Sequence, residues 1–231
     1  MTDDATLSAF RLADSFLPVG TYTVSYGLEQ FIQDDRVENA DDLHALLETY
    51  LRRQVGPAEL VALRAAHAAA RAGDLDAVCA ADRRLSAVTL AAEFRESAQQ
   101  SGDRLLSLQR DLQTNEDGLL EQYADSVESG EARGNYAVVL GVTTALAGIG
   151  ERQACLLCCH GFVTGLLGAA QRLLSLGHTD AQRLLDSLRP VMIEAVEDSA
   201  DTDVDEMAPF APLVDVLAAE HERAERRLFA S

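Results

Sequence analysis

The sequence predicts an all-α fold, and three observations lead there. Hydrophobic residues make up 48% of the 231 positions, yet aromatics are only 5% and Trp is absent, so Ala and Leu carry the apolar surface. Both are helix formers rather than strand formers. Apolar residues recur at helical spacing almost everywhere, and no stretch sustains the alternation of a strand. No internal repeat or low-complexity linker divides the chain, so residues 1–231 are expected to form one compact multi-helix bundle.

Taken in order, a first helix is expected over roughly Ala5 to Asp14, with Leu7, Phe10 and Leu12 apolar. Pro18 and Gly20 break it, because Pro18 biases Leu17 away from helical geometry and Gly20 permits a turn. A second helix starts near Val24 and carries Leu28, Phe31 and Ile32. Asn39 is placed to cap a third, with Asp41 and Asp42 in its positive first turn and Leu43, Leu46, Leu47, Tyr50 and Leu51 on one face. Arg52 and Arg53 complement its far end. Pro57 suits the first turn of the next helix, which Gly73 stops. Helices follow over Asp74 to Ala98 and Asp103 to Thr114, parted near Ser101-Gly102, then over Gly118 to Ser129.

From Gly134 the pattern changes to apolar helices spaced by small residues, with Gly141, Gly148, Gly161, Gly165 and Gly168 among Val, Ala and Leu. This suits a central buried pair whose backbones approach closely. Asp180 to Leu188 and Val191 to Glu197 are helical, an acidic run covers Glu194 to Glu206, and a last helix runs from Pro209 to about Leu228.

The formal net charge is −19, from 38 acidic residues against 19 basic ones, all of them Arg. Such a surface repels phosphates and anionic headgroups, so neither nucleic acid nor membrane is an expected partner. Self-repulsion on this scale is screened at molar salt, so the composition points to a halophilic setting. MTDDATLSAF has neither the basic nor the apolar region of a secretion signal, and four cysteines in such a chain suggest the reducing cytoplasm. The most apolar window, Ala154 to Gln171, is short of a membrane span and fits a buried core helix.

Cys155, Cys158, Cys159 and His160 could suggest a metal site. A structural zinc site draws on two separated ligand pairs, however, and no second Cys pair exists. Core thiols are the better reading, and no metal ligand is assigned. His44 and His67 are expected at surface or boundary positions, and His178 at a helix start. The chain contains no HExxH, GxSxG, GxGxxG or phosphate-loop pattern, so no catalytic residue is assigned.

What remains is Pro18 to Gln30, PVGTYTVSYGLEQ, a constrained loop holding Tyr22 and Tyr26. Tyrosines among small hydroxyl residues suit a recognition surface, since their rings give contact area at low entropic cost; packing onto the core is the equally weighted alternative.

This stretch, with Asp14-Ser15-Phe16-Leu17 before it, resembles the UreF family of urease accessory proteins, whose N-terminal region has the form DSxLPVGxYxxSxGLE. Arg172 to Gln182 is similar to a second family segment, Gly134 to Gly141 to a third, and His221 to Ser231 to the family's HExxxSRLFxS ending. His178, Asn135 and Arg226 depart from the pattern. The resemblance implies an adaptor without catalysis of its own, homodimeric, acting with UreD/UreH and the GTPase UreG to deliver nickel to apo-urease. No cofactor is then bound stably, and nickel is handled by the complex. Partner contacts are implied at Pro18, Gly20, Tyr22, Ser25, Gly27 and Glu29 in the loop. In the ending they are implied at His221, Glu222, Arg227, Leu228 and Phe229, within a tail (208–231) expected to order on partner binding. Tyr22 and Arg227 lead this set. The alternatives are a nickel carrier using the Cys155, Cys158, Cys159 and His160 cluster, and an all-α enzyme of unknown substrate.

Overall fold

Thr2 opens the first helix, its hydroxyl oxygen accepting from Ala5 N at 3.2 Å, and Asp3 and Asp4 occupy the positive first turn. In the computed structural model, which describes residues 2–14, 16–19, 26–112 and 118–221, this is α1 (Asp3–Ala13). After it come α2 (Leu28–Gln33), α3 (Ala40–Tyr50), a π-helical segment (Leu51–Leu60), α4 (Val61–Ala72), α5 (Leu75–Val88) and α6 (Ala92–Leu112). The second half holds α7 (Leu119–Glu128), α8 (Tyr136–Leu146), α9 (Glu151–Leu173), α10 (His178–Ser187), α11 (Arg189–Asp198) and α12 (Pro212–His221). No strand occurs among the described residues, so the all-α class holds.

Asn39 caps α3 as expected, its side-chain oxygen accepting from Asp41 N at 2.9 Å and Asp42 N at 3.1 Å. Gly73 ends α4 with φ +72°, a conformation open to glycine without a Cβ clash. Three boundaries differ from the sequence reading. Pro57 does not start a new helix: α3, the π segment and α4 run on without a break. Pro57 has no N–H for the carbonyl four residues back and crowds it, and widening the turn relieves both faults. The break expected at Ser101-Gly102 falls instead at Thr89–Ala91, where Arg95 donates to the Thr89 and Leu90 carbonyls, both at 2.7 Å. The second helix starts at Leu28 rather than near Val24, because Tyr26 and Gly27 both have positive φ, +45° and +76°.

The core is organised around α4 and α8. α8 is apolar on every side, with Val138, Val139, Leu140 and Val142 all buried, as befits a helix enclosed by others. It touches α9, but its main neighbours are α4 and α6. Gly141 makes the α4 contact possible: a Cβ there would stand 2.5 Å from the Leu63 carbonyl oxygen. Gly102 does the same for α6, where a Cβ would lie 1.8 Å from the Gly134 carbonyl oxygen.

Two polar networks tie the layers together. Asp82 of α5 is fully buried, and its carboxylate accepts from Arg133 N, from Gly134 N at 2.9 Å, from Asn135 N at 3.0 Å and from Asn135 Nδ2 at 2.6 Å. A buried carboxylate is tolerable only when hydrogen-bonded in this way. Here it also serves the positive start of α8. Arg64 of α4 pairs with Glu151 at the start of α9 and donates to the Val196 carbonyl (2.6 Å) and Ser199 Oγ (3.1 Å) at the end of α11.

α9 is the one helix among the described residues long and apolar enough to cross a membrane. Its buried positions include Cys155, Cys158, Phe162, Val163 and Leu166, and it packs on helices from both halves of the chain, which makes it a core helix. His67 proves buried rather than peripheral, with Nε2 2.9 Å from the Ile149 carbonyl oxygen.

Candidate docking loop and the cavities behind it

The loop begins where α1 ends. Asp14 Oδ1 accepts from Phe16 N at 2.9 Å, and Leu17 N donates to the Asp14 carbonyl at 3.0 Å, making a tight turn stabilised by a short acidic side chain. That turn leaves the Phe16 ring 91% exposed and Pro18 exposed, while Val19 is buried. The loop closes at Tyr26 and Gly27, whose paired left-handed conformations reverse the chain into α2. Tyr50 Oη donates to the Tyr26 carbonyl and pins this reversal to α3.

Tyr26 turns inward. Its ring centroid lies 5.3 Å from that of Phe94 and 5.0 Å from that of Phe162, both tilted, and Phe162 meets Tyr50 at 5.6 Å. Aromatic clusters in this geometry add modestly to the area they bury. Of the two alternatives left open for the loop tyrosines, Tyr26 takes the core-packed one.

The implied contact residues are distributed as follows. Pro18 is exposed; Gly27 and Glu29 are buried, with Glu29 accepting from Gln33 Nε2 at 3.2 Å. Glu29 therefore braces α2 within the chain. His221 is the last residue of α12. Gly20, Tyr22, Ser25, Glu222, Arg227, Leu228 and Phe229 lie outside the described residues. The tail's first part, by contrast, is described and packed: Val214, Leu217 and Ala218 of α12 are buried, and α12 lies on α2.

Two cavities of about 370 Å³ and about 50 Å³ adjoin each other, with Tyr26, Glu59 and Tyr136 lining both. Glu59 sits on the π segment, and burial raises its carboxyl to about 7. Sequence reasoning passed over it, although a signal existed: it is the one charged residue in the run Gln54 to Leu63.

The cysteine cluster is core, as the spacing and surroundings suggested. Cys155, Cys158 and Cys159 are buried and reduced, and burial pushes their thiols up, to about 11 for Cys155 and about 12 for Cys159. Cys158 is raised by burial first and by the nearby Glu59 carboxyl second. Thiols held this way are poor thiolates and hence poor metal ligands. His160 is half-buried, its imidazole shifted down by burial and by Arg189. Among the described residues no three His, Cys, Asp or Glu side chains converge as a metal site. Asn135, a departure from the family pattern, is part of the Asp82 network.

Fold and site together define an all-helical protein with a cavity lined by residues of α1, the π segment, α8 and α9. The UreF family model matches residues 37–189. A urease accessory protein UreF of Trichodesmium erythraeum is 36% identical over 226 residues, covering 97% of this chain and 96% of its own. One of the same name from Yersinia enterocolitica is 32% identical over 96% of each chain, and UreF 1 of Brucella melitensis is 32% identical over 96% of this chain and 91% of its own. The chain belongs to the UreF family.

Proposed function

We propose that this protein is a non-catalytic adaptor in urease maturation. It acts in the cytoplasm as a homodimer that brings UreD/UreH and the GTPase UreG together for nickel delivery to apo-urease, and it holds no cofactor of its own. The observation that carries this reading is end-to-end similarity to proteins named urease accessory protein UreF, at 32–36% identity over 96–97% of the chain. The flanks of the loop add support: Phe16 is almost fully exposed beside Pro18, and at the other end Tyr50 Oη donates to the Tyr26 carbonyl. An exposed aromatic side chain is a common anchor in interfaces. The nickel-carrier alternative loses ground because its thiols are buried and held protonated.

The test is complementation of a urease operon lacking its own UreF, with pull-down of UreD/UreH and UreG. The wild-type chain restores urease activity and captures both partners. Tyr22→Ala and Arg227→Ala are expected to fold, as judged by circular dichroism, but to lose capture and activation. Undiminished capture by both variants would overturn the contact assignment, and failure of the wild-type chain to complement would overturn the adaptor role.

A further inference from the structure

The wall between the two cavities carries a carboxyl that docking does not use. Glu59 has no hydrogen-bond or ion-pair partner among the described residues, and it lines both cavities while remaining partly exposed. The titratable groups facing it are Tyr26 from the loop, Tyr136 from α8, and Cys158 and Cys159 from α9. Asp215 shares the smaller cavity, and Asp14 and His160 share the larger one. Apart from His160, whose imidazole burial and Arg189 shift down, none of these can become a cation. A carboxylate here lacks its complement.

The surroundings specify what that complement would be. Three aromatic rings, of Tyr26, Tyr136 and Phe162, line the larger cavity, and ring faces attract cations, most strongly where water is excluded. No three metal-ligating side chains converge among the described residues, which disfavours direct metal coordination. A volume of about 370 Å³ is within the range of small-molecule sites. One carboxylate with two acceptor oxygens is best matched by a planar cation offering two parallel N–H donors.

We infer that the larger cavity is a binding site for a small planar organic cation, an amidinium or guanidinium, paired to Glu59 and held against the rings of Tyr26 and Tyr136. Its occupancy is independent of the adaptor role. Binding requires the ionised carboxylate, so the cation competes with a proton at Glu59. With that carboxyl titrating at about 7, affinity falls about tenfold between pH 8 and pH 6.

Isothermal titration of the full chain with benzamidinium chloride tests this, with neutral benzamide as the shape control. Expected are saturable 1:1 binding at pH 8, with a dissociation constant on the order of 1 mM or below, a tenfold loss at pH 6, and no measurable benzamide binding. Glu59→Gln keeps the shape and removes the charge; it should melt cooperatively yet lose benzamidinium binding at both pH values. Absence of saturable binding at pH 8, equal binding of benzamide, or unchanged binding by Glu59→Gln would each overturn the assignment. Complementation by Glu59→Gln is scored separately, so failure here leaves the adaptor role standing.

Discussion

Phe210 N donates to the carbonyl of Arg53 at 2.9 Å, and Arg53 stands four residues before Pro57. In an α-helix that carbonyl would look to the N–H of residue 57, which proline lacks. One proline thus widens the helix into its π segment and leaves exposed a carbonyl that the chain leading into α12 uses as an anchor. The Phe210 side chain is 72% exposed, so its backbone does the anchoring. Phe210→Ala should be nearly neutral, within about 0.5 kcal/mol. Phe210→Pro should cost about 1–3 kcal/mol by removing the donor. Urea denaturation of both variants checks this; equal stability would mean that the hydrogen bond contributes nothing.

Two helical glycines should respond in opposite directions. At Gly102 a Cβ would lie 1.8 Å from the Gly134 carbonyl oxygen and 2.8 Å from Tyr136 N, both backbone atoms with little room to yield. At Gly161 nothing stands within 4 Å. Gly102→Ala is therefore expected to destabilise by about 1–3 kcal/mol through forced separation of α6 from the loop before α8. Gly161→Ala should stabilise by about 0.5–1 kcal/mol, the ordinary gain in helix propensity. Thermal melts of the two variants shifting the same way would contradict this account.

These glycines also mark how far the sequence was legible. Caps and stops are local, so Asn39, Gly73 and the apolar face of α3 could be read from spacing alone. Gly102 appeared to be a breaker because its role depends on Gly134, 32 positions away, and no local rule registers a tertiary contact. Pro57 misled for a related reason: its cost is met by a wider helix and by the donor at Phe210, neither of which a window around residue 57 contains. At the site, family likeness pointed to the loop, whereas Glu59 emerged only once Tyr26, Tyr136 and Cys158 were brought around it. Its isolation within an apolar run was the sole local sign.

The excess of acidic side chains makes stability a function of salt. A charge of −19 on the chain implies repulsion that acts over a Debye length of ~10 Å at 0.1 M salt and ~3 Å at 1 M. The melting temperature should rise steadily as KCl is raised from 0.1 M to above 1 M. A melting temperature that falls over this range would sink the reading of the composition as salt-adapted.

Glu59 also makes stability depend on pH, and the sign follows from the direction of its shift. Burial raises its carboxyl from 4.5 to about 7, so between those values the folded chain holds a proton that the unfolded chain has released. The stability this group contributes is fully present below the unfolded value of 4.5. It declines as pH rises and is lost by the time pH passes through about 7, where the ionised carboxylate must remain in a site that solvates it poorly. Glu59→Gln lacks this dependence. Its stability relative to wild type should therefore increase between pH 5 and pH 8 by on the order of 2 kcal/mol, and the common titrations of all other groups cancel in the difference. Chemical denaturation of both proteins at the two pH values measures this directly. A constant difference would mean that water or a counter-charge already solvates the Glu59 carboxylate of the folded protein.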